Sequence, residues 1–111
     1  MSKLNNRIIN KIKNKIVRDI NPSMIIMFGS YAKGNPDDDS DLDIMCVEDK
    51  PFGPERSRRK EVARISRLLS EFEIPMDILL FSKDEIDKWQ HSKNHIVSEI
   101  MREGKLLHER H

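Results

Sequence analysis

Hydrophobic positions change period several times along the chain, and each change marks an element. From Leu4 to Ile20, apolar residues recur at helical spacing (Ile8, Ile9, Ile12, Ile16, Val17) among lysines, arginines and asparagines. This predicts a one-sided helix ended by Asn21-Pro22. MIIMF, residues 24 to 28, is a continuous apolar run between Pro22 and Gly29 and predicts a short buried strand. Gly29-Ser30 opens a short helical turn that ends near Gly34, a polar loop covers Asn35 to Ser40, and Asp41 to Val47 forms a second strand, with a break at Pro51 to Pro54. Val62, Ile65, Leu69 and Phe72 set the core stripe of a helix over 55–72, with Arg56, Lys60, Arg64 and Arg67 opposite. MDILLF, residues 76 to 81, predicts a third strand after Pro75. Ser82 and Glu85 have the spacing of a capping box for a short helix through Trp89. A last helix over about 93–103 is closed by Gly104, and KLLH adds a short edge strand. The predicted class is α/β (α+β): a small mixed sheet of three to four strands with helices mainly on one side, in a single domain over 1–111.

Composition narrows the setting. Charged residues are 35% of the chain but nearly balanced, with a formal net charge of +1. No global basic field draws nucleic acid, which is not expected as a direct partner. The single Cys46 lies in an apolar run and reads as a small buried hydrophobe. No apolar stretch approaches the roughly 20 residues of a membrane helix, and the N-terminus is too charged for a signal sequence. A cytoplasmic protein is expected.

The chemistry concentrates in MFGSYAKGNPDDDSDLDIMC, residues 27 to 46. A strand that ends in glycine and feeds a helix presents free backbone N–H groups, and Ser30 adds a hydroxyl; together they attract phosphate. By itself such a turn is also an ordinary helix cap. Asp41 and Asp43 alternate along a strand and project to the same side. Two carboxylates so placed repel unless a cation lies between them, and hard oxygen donors suit Mg²⁺. Asp37 to Asp39 read as a solvated loop. Asp77, two residues into an apolar strand, needs a partner or a metal if that strand is buried, and stands beside the other two if the second and third strands are neighbours.

Gly29-Ser30, ten residues, then Asp41-Leu42-Asp43, and a later strand aspartate: this arrangement resembles the nucleotidyltransferase superfamily of DNA polymerase beta. The GSYAKG form and the tail SEIMREGKLLHE resemble its minimal nucleotidyltransferases (MNT), many of which are antitoxins of HEPN/MNT toxin–antitoxin modules. The resemblance implies that Gly29 and Ser30 hold the triphosphate of ATP, and that Asp41 and Asp43 hold two Mg²⁺ ions. It implies that Asp77 shares the metal site and helps activate the attacking hydroxyl. Lys33 reaches a phosphate or stays solvated, and Tyr31 packs. The implied reaction moves AMP from ATP to a tyrosine of a HEPN ribonuclease toxin held in a hetero-oligomer. Two alternatives stand beside it: an antitoxin that works by binding alone, and an enzyme acting on a small-molecule hydroxyl. The larger relatives' second domain is absent from these residues, which favours an acceptor brought by a partner protein.

Other features read as structural. Glutamates beside the basic stripe of Arg56, Lys60, Arg64 and Arg67 predict a salt-bridged helix surface. His91 and His95 are four apart, but no third metal ligand accompanies them, and both read as solvated. Trp89 reads as a packing anchor, and Met24, Met27, Met45 and Met76 as core.

Overall fold

A computed structural model describes residues 4–37 and 40–110. Helix α1 (Asn6–Asp19) starts where the Asn5 side chain accepts from the Ile8 amide at 3.0 Å and buries Ile9, Ile12 and Ile16. Strand β1 (Met24–Phe28) leads into the five-residue α2 (Gly29–Lys33), closed by Gly34 in the left-handed region. Next come β2 (Leu42–Glu48), α3 (Arg58–Leu69) with a 3₁₀ turn over Ser70–Phe72, and β3 (Met76–Ser82). Helices α4 (Lys83–Trp89) and α5 (Ile96–Glu103) and strand β4 (Lys105–Glu109) complete the order.

The four strands form one sheet in the order β3-β2-β1-β4, antiparallel except for the parallel pair β2/β3. Side chains alternate between its faces. Ile25, Met27, Leu42, Ile44, Cys46 and Leu80 pack with α1 and α3, whereas Ile26, Met45 and Val47 pack with α4 and α5. The two long helices thus form one layer, as expected. The shorter α4 and α5 cover the other face, which the sequence pattern did not reveal because their apolar stripes are only two or three residues each.

Several boundaries move for identifiable reasons. Ser57, not a residue near Glu55, caps α3 by accepting from the Lys60 amide at 3.1 Å, so Arg56 lies outside the helix. Arg64 pairs with Glu61 at 2.6 Å, the salt-bridged surface expected of α3. The capping box at Ser82 and Glu85 is present, and Arg58 joins it by donating to both Glu85 oxygens and to the Leu80 carbonyl. Helix α5 starts at Ile96 rather than 93, because the His95 ring caps it, its Nδ1 accepting from the Val97 amide at 3.1 Å. His95 is therefore neither solvated nor on a shared helix face with His91. It stacks on Trp89 with centroids 4.5 Å apart, which makes Trp89 the anchor expected. Gly104 ends α5 with extended backbone; it is needed because a β-carbon there would crowd Ile26 and the Ile100 carbonyl. Cys46 is buried, and burial pushes its thiol up to about 12.

The far end of β2 carries a titratable cluster. Glu48 is 7% exposed and accepts from Arg56 at 2.5 Å, yet its Oε2 has no donor. Burial, then the neighbouring Glu61, moves Glu48 from 4.5 up to about 7 against the pull of Arg56. Protonation makes Glu48 a donor to Glu61. Between the ordinary glutamate range and about pH 7 the folded chain holds this proton more tightly than the unfolded chain. Raising the pH through that window therefore lowers stability, and the effect levels off above it. Glu61, held down chiefly by Arg64, acts with the opposite sign at lower pH. Thermal melts from pH 5.5 to 7.5 should show a decline of several degrees in Tm attributable to Glu48. Glu48→Gln should flatten it; an unchanged slope would assign the decline elsewhere.

Candidate active site

At one end of the sheet β1 leaves and β2 and β3 enter, and the sequence-predicted residues meet there. Antiparallel register sets Phe28 opposite Asp43, and parallel register sets Asp43 beside Asp77. Both aspartates share the face of Met45 and Leu79, toward α4 and α5. Asp41 is exposed and immediately precedes β2, which starts one residue later than expected. Asp77 is exposed, because β3 is an edge strand rather than a buried one. The expected neighbourhood of Asp77 and Asp43 holds, because β2 and β3 are neighbours in the sheet.

Gly29 is fixed by two constraints. Its φ is +71°, a region that disfavours side chains, and a β-carbon built on it would overlap the Asp43 Oδ2. The backbone at Gly29 thus lies directly against the Asp43 carboxylate. Burial, then the charges of Asp77 and Asp41, raise the Asp43 pKa above the ordinary carboxylate value. Ser30 is half-buried at the start of α2, and Lys33 is exposed in its last turn. Tyr31 packs on the core as expected. Asp37 lies in an exposed turn where its amide donates to the Ser40 hydroxyl at 2.9 Å; Asp38 and Asp39 fall outside the described residues.

Among the described residues no three His, Cys, Asp or Glu side chains form a ready-made metal cage. Asp43, Asp77 and Asp41 are instead an open, all-oxygen, mutually repelling set. Such a set fits an ion like Mg²⁺, which keeps water and takes substrate phosphates as its other ligands. Beside it lies a cleft of about 190 Å³ between α2 and α5, with Phe28, Ile96 and Ile100 as its apolar part and Lys33, Asp43, Glu99 and Glu103 around it. The contribution of α5 was missed from sequence, although Ile96, Glu99 and Glu103 share one helix face by their spacing.

A glycine turn against paired strand carboxylates, on a mixed sheet flanked by helices, defines a nucleotidyltransferase. A family model described as Polymerase beta, Nucleotidyltransferase matches residues 10–111, and the chain belongs to that family. A protein of Methanocaldococcus jannaschii named "Putative protein adenylyltransferase" is 27% identical over 103 residues, 90% of each chain. A solved "putative nucleotidyltransferase" from Sulfolobus solfataricus has a TM-score of 0.63 at 19% identity, covering 94% of this chain and 79% of that one. A toxin–antitoxin crystal structure with AMP-PNP has a TM-score of 0.59 at 23% identity, covering 91% and 73%. These two structures share the fold. Among the described residues, no helix is long and apolar enough to cross a membrane.

Proposed function

We propose that this protein is a Mg²⁺-dependent protein adenylyltransferase that acts as an antitoxin, moving AMP from ATP to a tyrosine of a HEPN ribonuclease toxin in a cytoplasmic hetero-oligomer. The observation that carries this reading is the register of Asp43 beside Asp77, with Gly29 shaped to admit the Asp43 carboxylate. The names of the M. jannaschii relative and of the toxin–antitoxin neighbour support the acceptor class.

In this reading residues 1–111 work as one minimal domain. Gly29 and Ser30 receive the triphosphate, and Lys33, one turn on, neutralises part of its charge. Asp41, Asp43 and Asp77 hold the metal, which when bound acidifies the attacking hydroxyl and offsets charge on the leaving pyrophosphate. The tyrosine oxygen bonds to the α-phosphorus as the bond to the bridging oxygen breaks and pyrophosphate departs. Asp77, exposed at the sheet edge, takes the hydroxyl proton. The chain's own contribution is mainly position and charge.

The test is intact-mass spectrometry of the protein encoded by the neighbouring gene, the toxin in this reading, after incubation with this protein, ATP and Mg²⁺. A gain of one or more AMP units on the toxin is expected, with a tyrosine identified by peptide mapping. An unmodified toxin in a tight complex would replace this reading with neutralisation by binding alone.

A further inference from the structure

The near-balanced total charge, from which no nucleic-acid partner is expected, conceals a segregation. Helix α1 carries five Lys or Arg against Asp19 alone, and α3 carries five against Glu61 alone. The layer these helices form on one face of the sheet thus holds half of the chain's 20 Lys and Arg, but only 2 of its 19 Asp and Glu. Arg7, Lys11, Lys15 and Arg18 recur at helical spacing and form one stripe along about 16 Å of α1, with Asn10 and Asn14 beside it. Between this stripe and the 3₁₀ turn lies a cleft of about 500 Å³, where Lys11, Asn14, Lys15 and Arg18 face a single acid, Glu71, which pairs with Lys15. Arg7, Lys11, Lys60 and Arg67 are exposed, and no ion pair joins any of them to an acid among the described residues. Like charges four apart along α1 repel, and an anion bound across them relieves that repulsion.

The composition of this face selects the kind of anion. It lacks an apolar anchor: the exposed large hydrophobics among the described residues, Ile96 and Leu106, both lie elsewhere. A protein interface is built on such anchors and is depleted in lysine, whereas a phosphate backbone asks only for cations and amide or hydroxyl groups. Neither α1 nor α3 contains an aromatic residue on which an unpaired base could stack. The exposed Asn10 and Asn14 both donate and accept, as a ribose 2′-hydroxyl does, and base-paired RNA displays those hydroxyls in a wide, shallow groove. We infer that the α1/α3 face binds the sugar-phosphate backbone of base-paired RNA without reading its sequence. Asp43 and Asp77 lie on the other face of the sheet, so RNA held here leaves the carboxylate cluster open. This surface stands independently of the reaction proposed above.

The test is fluorescence anisotropy of the full chain with a labelled RNA duplex of about 20 base pairs, a DNA duplex of the same sequence, and poly-glutamate. The RNA duplex should bind with a Kd on the order of 1–100 µM that weakens steeply with salt. The DNA duplex should bind at least about threefold more weakly, and poly-glutamate more weakly still. Two double variants, Arg7→Gln/Lys11→Gln on α1 and Lys60→Gln/Arg67→Gln on α3, change only exposed side chains and are expected to fold normally. Each should weaken RNA binding at least about tenfold and make its salt slope shallower by about 2. Lys83→Gln/Lys93→Gln, exposed and outside this layer, should change neither. No RNA binding at about 1 mM protein, DNA bound as tightly as RNA, or native affinity in both double variants would overturn the inference. Displacement of the RNA by ATP with Mg²⁺ would move it to the carboxylate cluster, and tighter binding of poly-glutamate would give the face to an acidic protein; either result also overturns it. Failure of AMP transfer with RNA binding intact would count against the proposed reaction and not against this surface.

Discussion

Replacing Asp41 and Asp43 together by asparagine should lower AMP transfer by at least about 10³-fold, about 4 kcal/mol of transition-state stabilisation, and leave the fold intact. Asparagine keeps the shape of each side chain and removes the charge that the metal requires. The fold loses little, because neither carboxylate makes a hydrogen bond or ion pair among the described residues. The metal-free double variant should even be slightly more stable at neutral pH. The raised pKa of Asp43 gives the sign: its ionised form is disfavoured in the folded chain, so ionisation as pH rises costs stability that asparagine does not lose. Thermal melts provide an independent readout. Mg²⁺ with ATP at about 100 times Kd should stabilise the native protein by about 2.7 kcal/mol and the variant by almost nothing. Full transfer by the double variant, or an equal melt shift in both proteins, would remove the metal role from these residues.

The sequence revealed local pattern well and lateral neighbours poorly, and the site depends on both. MIIMF is β1 as read, because five apolar residues between proline and glycine leave little choice. The Gly29 turn and the Asp41/Asp43 pair were visible as chemistry out of place in an apolar context. Whether Asp77 is buried or exposed stayed open in the sequence, since periodicity within a strand cannot say whether that strand is central or at an edge; it is exposed. Pairing β2 with β3 is a non-local event, and nothing within MDILLF announces it. The same limit hid α5: its spacing shows one acidic and apolar face, but only the topology brings that face to Asp43. Arg56 was placed on a helix by periodicity, whereas the Ser57 cap excludes it and leaves it bonded to buried Glu48.

Gly29→Ala should separate the two constraints on that residue. Its positive φ alone costs a β-carbon on the order of 1–3 kcal/mol, and the overlap with Asp43 Oδ2 adds a demand that the carboxylate turn away. A catalytic group misplaced by about 1 Å loses on the order of 10²-fold in rate, so transfer should fall at least that far. Gly34 supplies the control. Its φ is +79°, but a β-carbon there meets nothing within 4 Å. Gly34→Ala should therefore lower stability by a similar backbone term and leave the rate per folded molecule nearly unchanged. A double-variant cycle completes the argument: in an Asp43→Ala background the overlap is gone, and Gly29→Ala should cost only the backbone term. If Gly29→Ala costs the same stability with and without the Asp43 carboxylate, the contact is not what fixes glycine here. If Gly34→Ala slows transfer as much as Gly29→Ala, the loss belongs to the α2 backbone as a whole and not to the approach of Gly29 to Asp43.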